Sequence, residues 1–294
     1  MKCLKPIQIN GMTLNCGHCH ACRVNITSQW TLRLLYELDS WDSASFLTLT
    51  YDDEHLPSDY GLHKKDLQNF NKRLRQLAYR RLGLRLKMYS IGEYGSVTKR
   101  PHYHGIYFGL SPYEAEHRQL VKDAWRLCPE WQFNDRGNKT SFGEVTHDSI
   151  QYVTGYVQKK LSGDLALEEY RGRQKPFSLV SRGLGLTFAN NNAERLIRNG
   201  YTYLRGQKIG LPRYFRDKLG IEIKTQIQKS KVEQFKDEME YLIQEFYKQN
   251  PAYSNLDFSN LDNLPKAFER WYDQRRWDTA SIIEKNFLQR SKHG

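Results

Sequence analysis

LKMYSIGEYGSVTKRPHYHGIYFG, residues 86–109, holds two apolar and aromatic runs, Leu86–Tyr94 and His102–Gly109, on either side of GSVTKRP. Such runs favour extended backbone and the Gly/Ser/Thr/Pro-containing connector reads as a turn, so the segment is expected to form a β-hairpin. Residues two apart on a strand project to the same face. His102 and His104 would therefore present both imidazoles to one side, and the hairpin would bring Glu93, at the end of the preceding strand, beside them. Two imidazoles and one carboxylate suit a divalent cation such as Mg²⁺, Mn²⁺ or Zn²⁺. The plainer reading is two half-exposed strand histidines bonded to neighbours or water.

Working outward, SFLTLTY (45–51) alternates apolar and polar residues and reads as a further strand, preceded by a helix in SQWTLRLLYELD (28–39) and followed by the acidic loop DDEHLPSDYG (52–61). Residues 63–83 form a basic amphipathic helix, with Leu67, Phe70, Leu74 and Leu77 as its apolar stripe. Lys64, Lys65, Lys72, Arg73, Arg75, Arg80 and Arg81 cover the rest, and Asp66 is its only acid. So one-sided a charge distribution points to phosphate contact, against the alternative of a merely solvated face. Downstream come a helix over 111–128, a short extended piece at Phe142–Val145 and a helix over 148–161 closed by Gly163. Residues 164–220 are Gly/Arg-rich and irregular. Two amphipathic helices, 223–248 and 266–290, flank PAYSNLDFSNLDNLP and are expected to pack on each other or on the preceding domain. The order of elements predicts an α+β fold, a largely antiparallel sheet with flanking helices, over residues 1–165, and a mostly helical region over 166–294.

Lys and Arg total 45 against 33 Asp and Glu, a net charge of +12 in 294 residues. That balance favours a polyanionic partner, nucleic acid first and an acidic membrane surface second. Aromatic residues make up 13%, including 19 Tyr, which suits stacking on bases. No run approaches the roughly 18 apolar residues of a membrane span, and no charged segment followed by an apolar one opens the chain as in a secretory leader. Five cysteines, an odd count without such a leader, argue against a secreted disulfide framework. Cys16, Cys19 and Cys22 form C-x-x-C-x-x-C with Cys3 upstream. Four thiolates so placed suit a tetrahedral site for which Zn²⁺ is the common occupant; reduced thiols and an iron–sulfur cluster are the alternatives. Cys128 stands apart as an ordinary buried or half-buried thiol.

The predicted helix over 148–161 contains a second constellation. At 100° per residue Ile150, Val153, Val157 and Leu161 share one apolar face, whereas Tyr152 and Tyr156 fall together on another, with Lys159 and Lys160 beside them. Gly155, between the tyrosines, would let a nucleic-acid backbone approach. Two surface tyrosines packed under a loop are the structural alternative. A phenol with a pKa near 10 is a poor nucleophile toward a phosphodiester until a cation sits close, and a metal that polarises the phosphate offsets the charge of an in-line displacement. Cation site, tyrosine helix and basic surface together describe a phosphoryl-transfer site.

FLTLTY, HYH and YVTGYVQKK, in that order, resemble the three motifs of the HUH (His-hydrophobe-His) endonucleases, in the two-tyrosine class that initiates rolling-circle replication. CGHCHACR, GEYG…RPHYHG and YVTGYVQKK are similar, more narrowly, to the initiators of the Microviridae, in the gokushovirus-like branch. The matching segments lie within residues 3–161. The resemblance implies an enzyme that nicks and rejoins single-stranded or supercoiled origin DNA through a 5′-phosphotyrosine, with Tyr156 or Tyr152 attacking and the second tyrosine cutting the regenerated origin. It also implies a Mg²⁺ or Mn²⁺ ion on His102, His104 and Glu93, Lys159 and Lys160 beside the nucleophile, and DNA contact by Arg100, Lys64, Lys65, Lys72 and Arg73. Action in the host bacterial cytoplasm follows from it, with host polymerase and helicase as partners and no membrane. No G-x-x-x-x-G-K-[ST] of a fused helicase occurs in the chain. Because Lys159 and Lys160 lie one turn beyond it, Tyr156 is expected to be the stronger nucleophile. Two other readings stay open: a non-catalytic zinc-containing nucleic-acid-binding protein, and a metal-dependent nuclease that uses water.

Overall fold

The computed structural model describes residues 3, 6–9, 12–128, 142–159, 169–204, 206–220 and 239–253, with 266–268, 270–272, 274, 275 and 278. The chain divides into two compact units, one formed by residues 22–191 and the other by residues 2–21 and 192–294.

The first unit is an α+β sandwich. The hairpin read from residues 86–109 exists as β4 (Lys87–Tyr94) and β5 (Pro101–Phe108), and SFLTLTY supplies β3 (Ala44–Thr50). β3 and β4 each pair antiparallel with β5, which is therefore central. β6 (Phe142–Glu144) and β7 (Phe177–Val180) close the edges, giving the order β6-β3-β5-β4-β7, with every pairing antiparallel. The antiparallel α+β class expected from the sequence is the one observed.

Period-two alternation assigns each face its own core. On one face, Leu47, Leu49 and Tyr51, Met88, and Tyr103 and Tyr107 pack against two helices, α2 (Lys64–Leu82) and α3 (Ala115–Ala124). On the other, Tyr89, Ile91, Ile106 and Phe108 meet Leu34 of α1 (His20–Leu38) and Ile150 and Val153 of α4 (His147–Lys159). Gly105, at the middle of β5, is required by close approach, since a Cβ there would lie 2.5 Å from the Tyr107 ring. α1 and α4 are locked by a buried hydrogen bond of 2.7 Å between the Thr31 and Thr154 hydroxyls.

One polar group sits deep in the α2 layer. Asn71 is buried, donates to Ser90 Oγ at 3.2 Å and accepts from Tyr107 Oη at 2.9 Å. Asn71→Ala leaves both hydroxyls unpaired in a dry interior. It is expected to destabilise the protein by about 1–3 kcal/mol, read as a lower midpoint in urea unfolding with an unchanged slope.

Three elements differ from the sequence reading. α1 begins at His20 rather than near residue 28, directly after the cysteine-rich turn. The helix expected over 111–128 is confined to Ala115–Ala124, because Trp125 turns extended to bury its ring completely and donate Nε1–H to the Thr50 carbonyl at 2.7 Å. Within the stretch read as irregular, PFSLV supplies edge strand β7. Four partly exposed residues show no alternation strong enough to be seen without their partner β4.

In the second unit, β1 (Ile7–Ile9) and β2 (Met12–Leu14) form a small hairpin, as do β8 (Tyr201–Leu204) and β9 (Gln207–Gly210). Residues 239–249 are helical, and their Met239, Leu242, Ile243 and Phe246 pack with Phe268, so the two late amphipathic segments meet each other. The Phe246 and Phe268 rings cross at 84° with centroids 5.4 Å apart. Residues 223–238 and 279–290 of those expected helices lie outside the described residues. Among the described residues no helix is long and apolar enough to cross a membrane.

Candidate metal centre

Register brings the three expected ligands together. Glu93 of β4 lies directly opposite His102 of β5, and His104 follows two residues on, so all three side chains leave the same face of the sheet. Glu93 Oε1 is 2.9 Å from His102 Nε2 and 2.9 Å from His104 Nε2. The available ligand atoms of the three residues all fall within 4.8 Å of one another. Glu93 and His104 are buried and His102 is partly exposed, which leaves the group open on one side.

The outer nitrogens are spoken for. His102 Nδ1–H donates to the Arg100 carbonyl at 3.0 Å, and His104 Nδ1 is 2.9 Å from Thr48 Oγ1, the residue opposite it on β3. With Nδ1 carrying the proton, each neutral ring turns a bare Nε2 lone pair toward the Glu93 carboxylate. Burial is the largest influence on His104 and holds its pKa below the usual histidine range, outweighing the pull of Glu93. Burial raises the Glu93 carboxyl, but hydrogen bonds from His102 and His104 overcome it and leave the pKa below the ordinary value. A carboxylate facing imidazole lone pairs is an arrangement that a cation resolves. Glu93 Oε2, buried without a hydrogen-bond partner, is a further donor waiting for one. The residues therefore fit a divalent metal; nitrogen and oxygen donors with an open side do not select among Mg²⁺, Mn²⁺ and Zn²⁺.

α4 delivers a phenol to this group. Ile150, Val153 and Thr154 are fully buried against α1 and the sheet, which turns the adjacent Tyr152 toward the histidines, about half exposed. Its hydroxyl donates to Glu93 Oε1 at 3.0 Å and stands 3.5 Å from His104 Nε2. The Tyr152 ring meets the His104 ring edge-on at 5.2 Å, and Phe46 stacks on the other side of His104 at 5.5 Å. Burial, followed by the charge of Glu93, pushes the Tyr152 phenol well above its ordinary pKa. A Cβ added at Gly155 would meet nothing within 4 Å, so the helix surface beside Tyr152 is open.

The remaining expected residues are placed as follows. Tyr156 and Lys159 lie on α4, but their side chains, like Lys160 altogether, fall outside the described residues. The Arg100 guanidinium donates to the Tyr51 carbonyl at 2.9 Å and pairs with Asp53 at 2.8 Å. Lys64, Lys65 and Lys72 are exposed on α2, in the layer across the sheet from α4. Arg73 donates Nε–H to the Ala124 carbonyl at 2.8 Å and thereby ties α2 to the end of α3. Sequence reasoning missed Thr48. The signal was available, because alternation in FLTLTY puts Thr48 and Thr50 on the face of the histidines once β3 is known to pair with β5. Thr48→Val keeps the shape but removes the partner of His104 Nδ1. It is expected to weaken Mn²⁺ affinity about 10–100-fold by titration calorimetry, with Thr48→Ser close to wild type.

The cysteine cluster also assembles. The sulfurs of Cys3, Cys16, Cys19 and Cys22 all lie within 4.8 Å of one another, Cys128 is buried apart from them, and no disulfide joins any of the five.

Comparison with known proteins agrees with this geometry. The family model for replication-associated proteins of the ORF2 type matches residues 44–161, the segment that carries β3, the hairpin and α4. Replication-associated protein VP4 of Bdellovibrio phage phiMH2K is 34% identical over 213 residues, 69% of this chain and 66% of the relative. Replication-associated protein ORF4 of Chlamydia phage 1 is 31% identical over 70% of this chain and 53% of its own length. Replication-associated protein ORF2 of Spiroplasma virus 4 is 31% identical over 68% and 65%. The matches thus span less than two thirds of each relative's length. No solved structure matches the chain significantly. With the ordered motifs on one sheet face and these relatives alike in name, the chain belongs to the family of phage replication-associated proteins, in its Microviridae-like branch.

Proposed function

We propose that this protein initiates and terminates rolling-circle replication of a phage genome by nicking and rejoining single-stranded origin DNA through a tyrosine–phosphate bond. The observation that carries this reading is the Tyr152 hydroxyl, held 3.0 Å from Glu93 Oε1 and 3.5 Å from His104 Nε2 on a half-open surface.

Glu93, His102 and His104 would hold one divalent cation, Mg²⁺ or Mn²⁺ in a cell. When bound, that cation polarises the scissile phosphate and offsets its developing charge. The chain's own residues then do the following. Thr48 and the Arg100 carbonyl keep both histidines in the tautomer with Nε2 available. Tyr152 attacks phosphorus; the Oη–P bond forms as the P–O3′ bond breaks. The phenol proton leaves toward the Glu93 carboxylate it already faces, and the departing 3′-oxygen takes a proton from solvent. One phosphodiester is exchanged for another, so joining needs no nucleotide triphosphate. The free 3′-OH serves a host polymerase, and a host helicase unwinds ahead of it. Tyr156, one turn along α4 from Tyr152, makes the second cut that releases a circular strand. The exposed lysines of α2 contribute nonspecific phosphate attraction.

The test is incubation with single-stranded origin DNA and Mg²⁺ or Mn²⁺, followed by a denaturing protein gel. A covalent protein–DNA band is expected. Cleaved DNA without that band would assign a water-using nuclease, and intact bound DNA a non-catalytic binding protein.

A further inference from the structure

The cysteine cluster plays no part in the chemistry above, and its geometry is specific. We propose that Cys3, Cys16, Cys19 and Cys22 bind a single structural Zn²⁺ that clamps the base of the β1–β2 hairpin to the first turn of α1. The site stands independently of the nuclease reading.

The first support is the sulfur spacing. Cys3 Sγ lies 3.5 Å from Cys16 Sγ and 3.8 Å from Cys19 Sγ. Four thiolates at Zn–S bonds of about 2.3 Å define a tetrahedron with an edge of about 3.8 Å. The observed separations match that edge and are far longer than the roughly 2.05 Å of a disulfide. A cubane iron–sulfur cluster, which seats each thiolate on its own iron, would hold the sulfurs much farther apart.

The second is the backbone around the sulfurs. The Cys16 amide donates to Cys3 Sγ at 3.3 Å, and the His18 and Cys19 amides donate to Cys16 Sγ at 3.4 and 3.3 Å. Gly17, at φ +76°, supplies the left-handed residue that folds the two later amides over one sulfur. Amides aimed at sulfur favour the thiolate, the form a metal needs. Cys3 and Cys22 are buried.

The third is a structural need. β1 and β2 have three residues each, and Ile7, Ile9 and Leu14 are 43%, 47% and 41% exposed. A two-stranded hairpin with its apolar side chains in water has little to hold it. Cys3 precedes β1 and Cys16 follows β2, so a shared metal closes the hairpin at its open end. The cation displaces the protons still on the thiols, and four thiolates with one Zn²⁺ leave a charge of −2 within a basic chain.

The experiment is metal analysis of the full-length protein purified without chelator and dialysed. One zinc per chain is expected in the wild type, in His102→Ala/His104→Ala and in Cys128→Ser. Cys16→Ser/Cys19→Ser should retain less than about one tenth of that. Growth on Co²⁺ should give the intense visible bands of tetrahedral thiolate cobalt in every zinc-retaining variant. The proposal is overturned by zinc that survives the double cysteine change or disappears with the double histidine change. Iron with acid-labile sulfide would overturn it equally. Should the cysteine variant fail to fold, wild-type protein that carries no zinc and shows no cobalt bands overturns the proposal by itself.

Discussion

Tyr152→Phe is expected to lower single-turnover formation of the protein–DNA adduct on the order of 10³-fold or more, the scale seen when a nucleophile is removed. The change deletes one oxygen and keeps the ring that packs edge-on against His104 and Phe46, so the fold around the metal group stays intact. What is lost is the hydroxyl at 3.0 Å from Glu93. On lysine spacing alone Tyr156 is the better candidate. The described geometry favours Tyr152 for the first cut, because its oxygen already stands among the proposed ligands. Tyr156→Phe should still form adduct on a simple origin oligonucleotide but fail at the second cut, accumulating linked DNA rather than released circles. The double Tyr→Phe variant should form none. Wild-type adduct from Tyr152→Phe, together with none from Tyr156→Phe, would reverse the assignment. Since burial and the neighbouring carboxylate hold the phenol's proton, chelated protein is expected to form no adduct either.

The second large effect concerns the ligands. His102→Ala/His104→Ala should reduce cleavage below about one hundredth of wild type, beyond the 10–100-fold typical of losing an outer-sphere partner. Binding to single-stranded DNA at low salt should change little, since lysines and arginines elsewhere supply the phosphate attraction. His104 is buried on the central strand, so alanine there risks loosening the sheet. Glu93→Gln is the cleaner companion. It preserves volume, removes the charge that both imidazoles and Tyr152 face, and should lose Mn²⁺ binding by calorimetry with a circular dichroism spectrum unchanged. Full cleavage by either variant would remove the metal group from the reaction.

Much of the molecule was legible in the chain because its signals are local. Alternation in residues 45–51 and 86–109 marks strands wherever they pair, and the two-residue spacing of His102 and His104 puts both rings on one face by pleat geometry alone. The helical period of residues 148–161 likewise separates Tyr152 from the buried Ile150–Val153 face. Other features depend on which strands become neighbours, and no local pattern encodes that. β3 beside β5 makes Thr48 the partner of His104. β4 beside β7 turns PFSLV into a strand, and the contact with Thr50 pulls Trp125 out of its helix. The C-x-x-C-x-x-C spacing named four candidate ligands, but only folding, by bringing Cys3 across a hairpin to 3.5 Å from Cys16, gave them a tetrahedral edge. Residue types and periodicities thus determined which chemistry the chain can carry. Strand order and register decided which of those groups meet, because bonds between strands join residues that lie far apart along the chain.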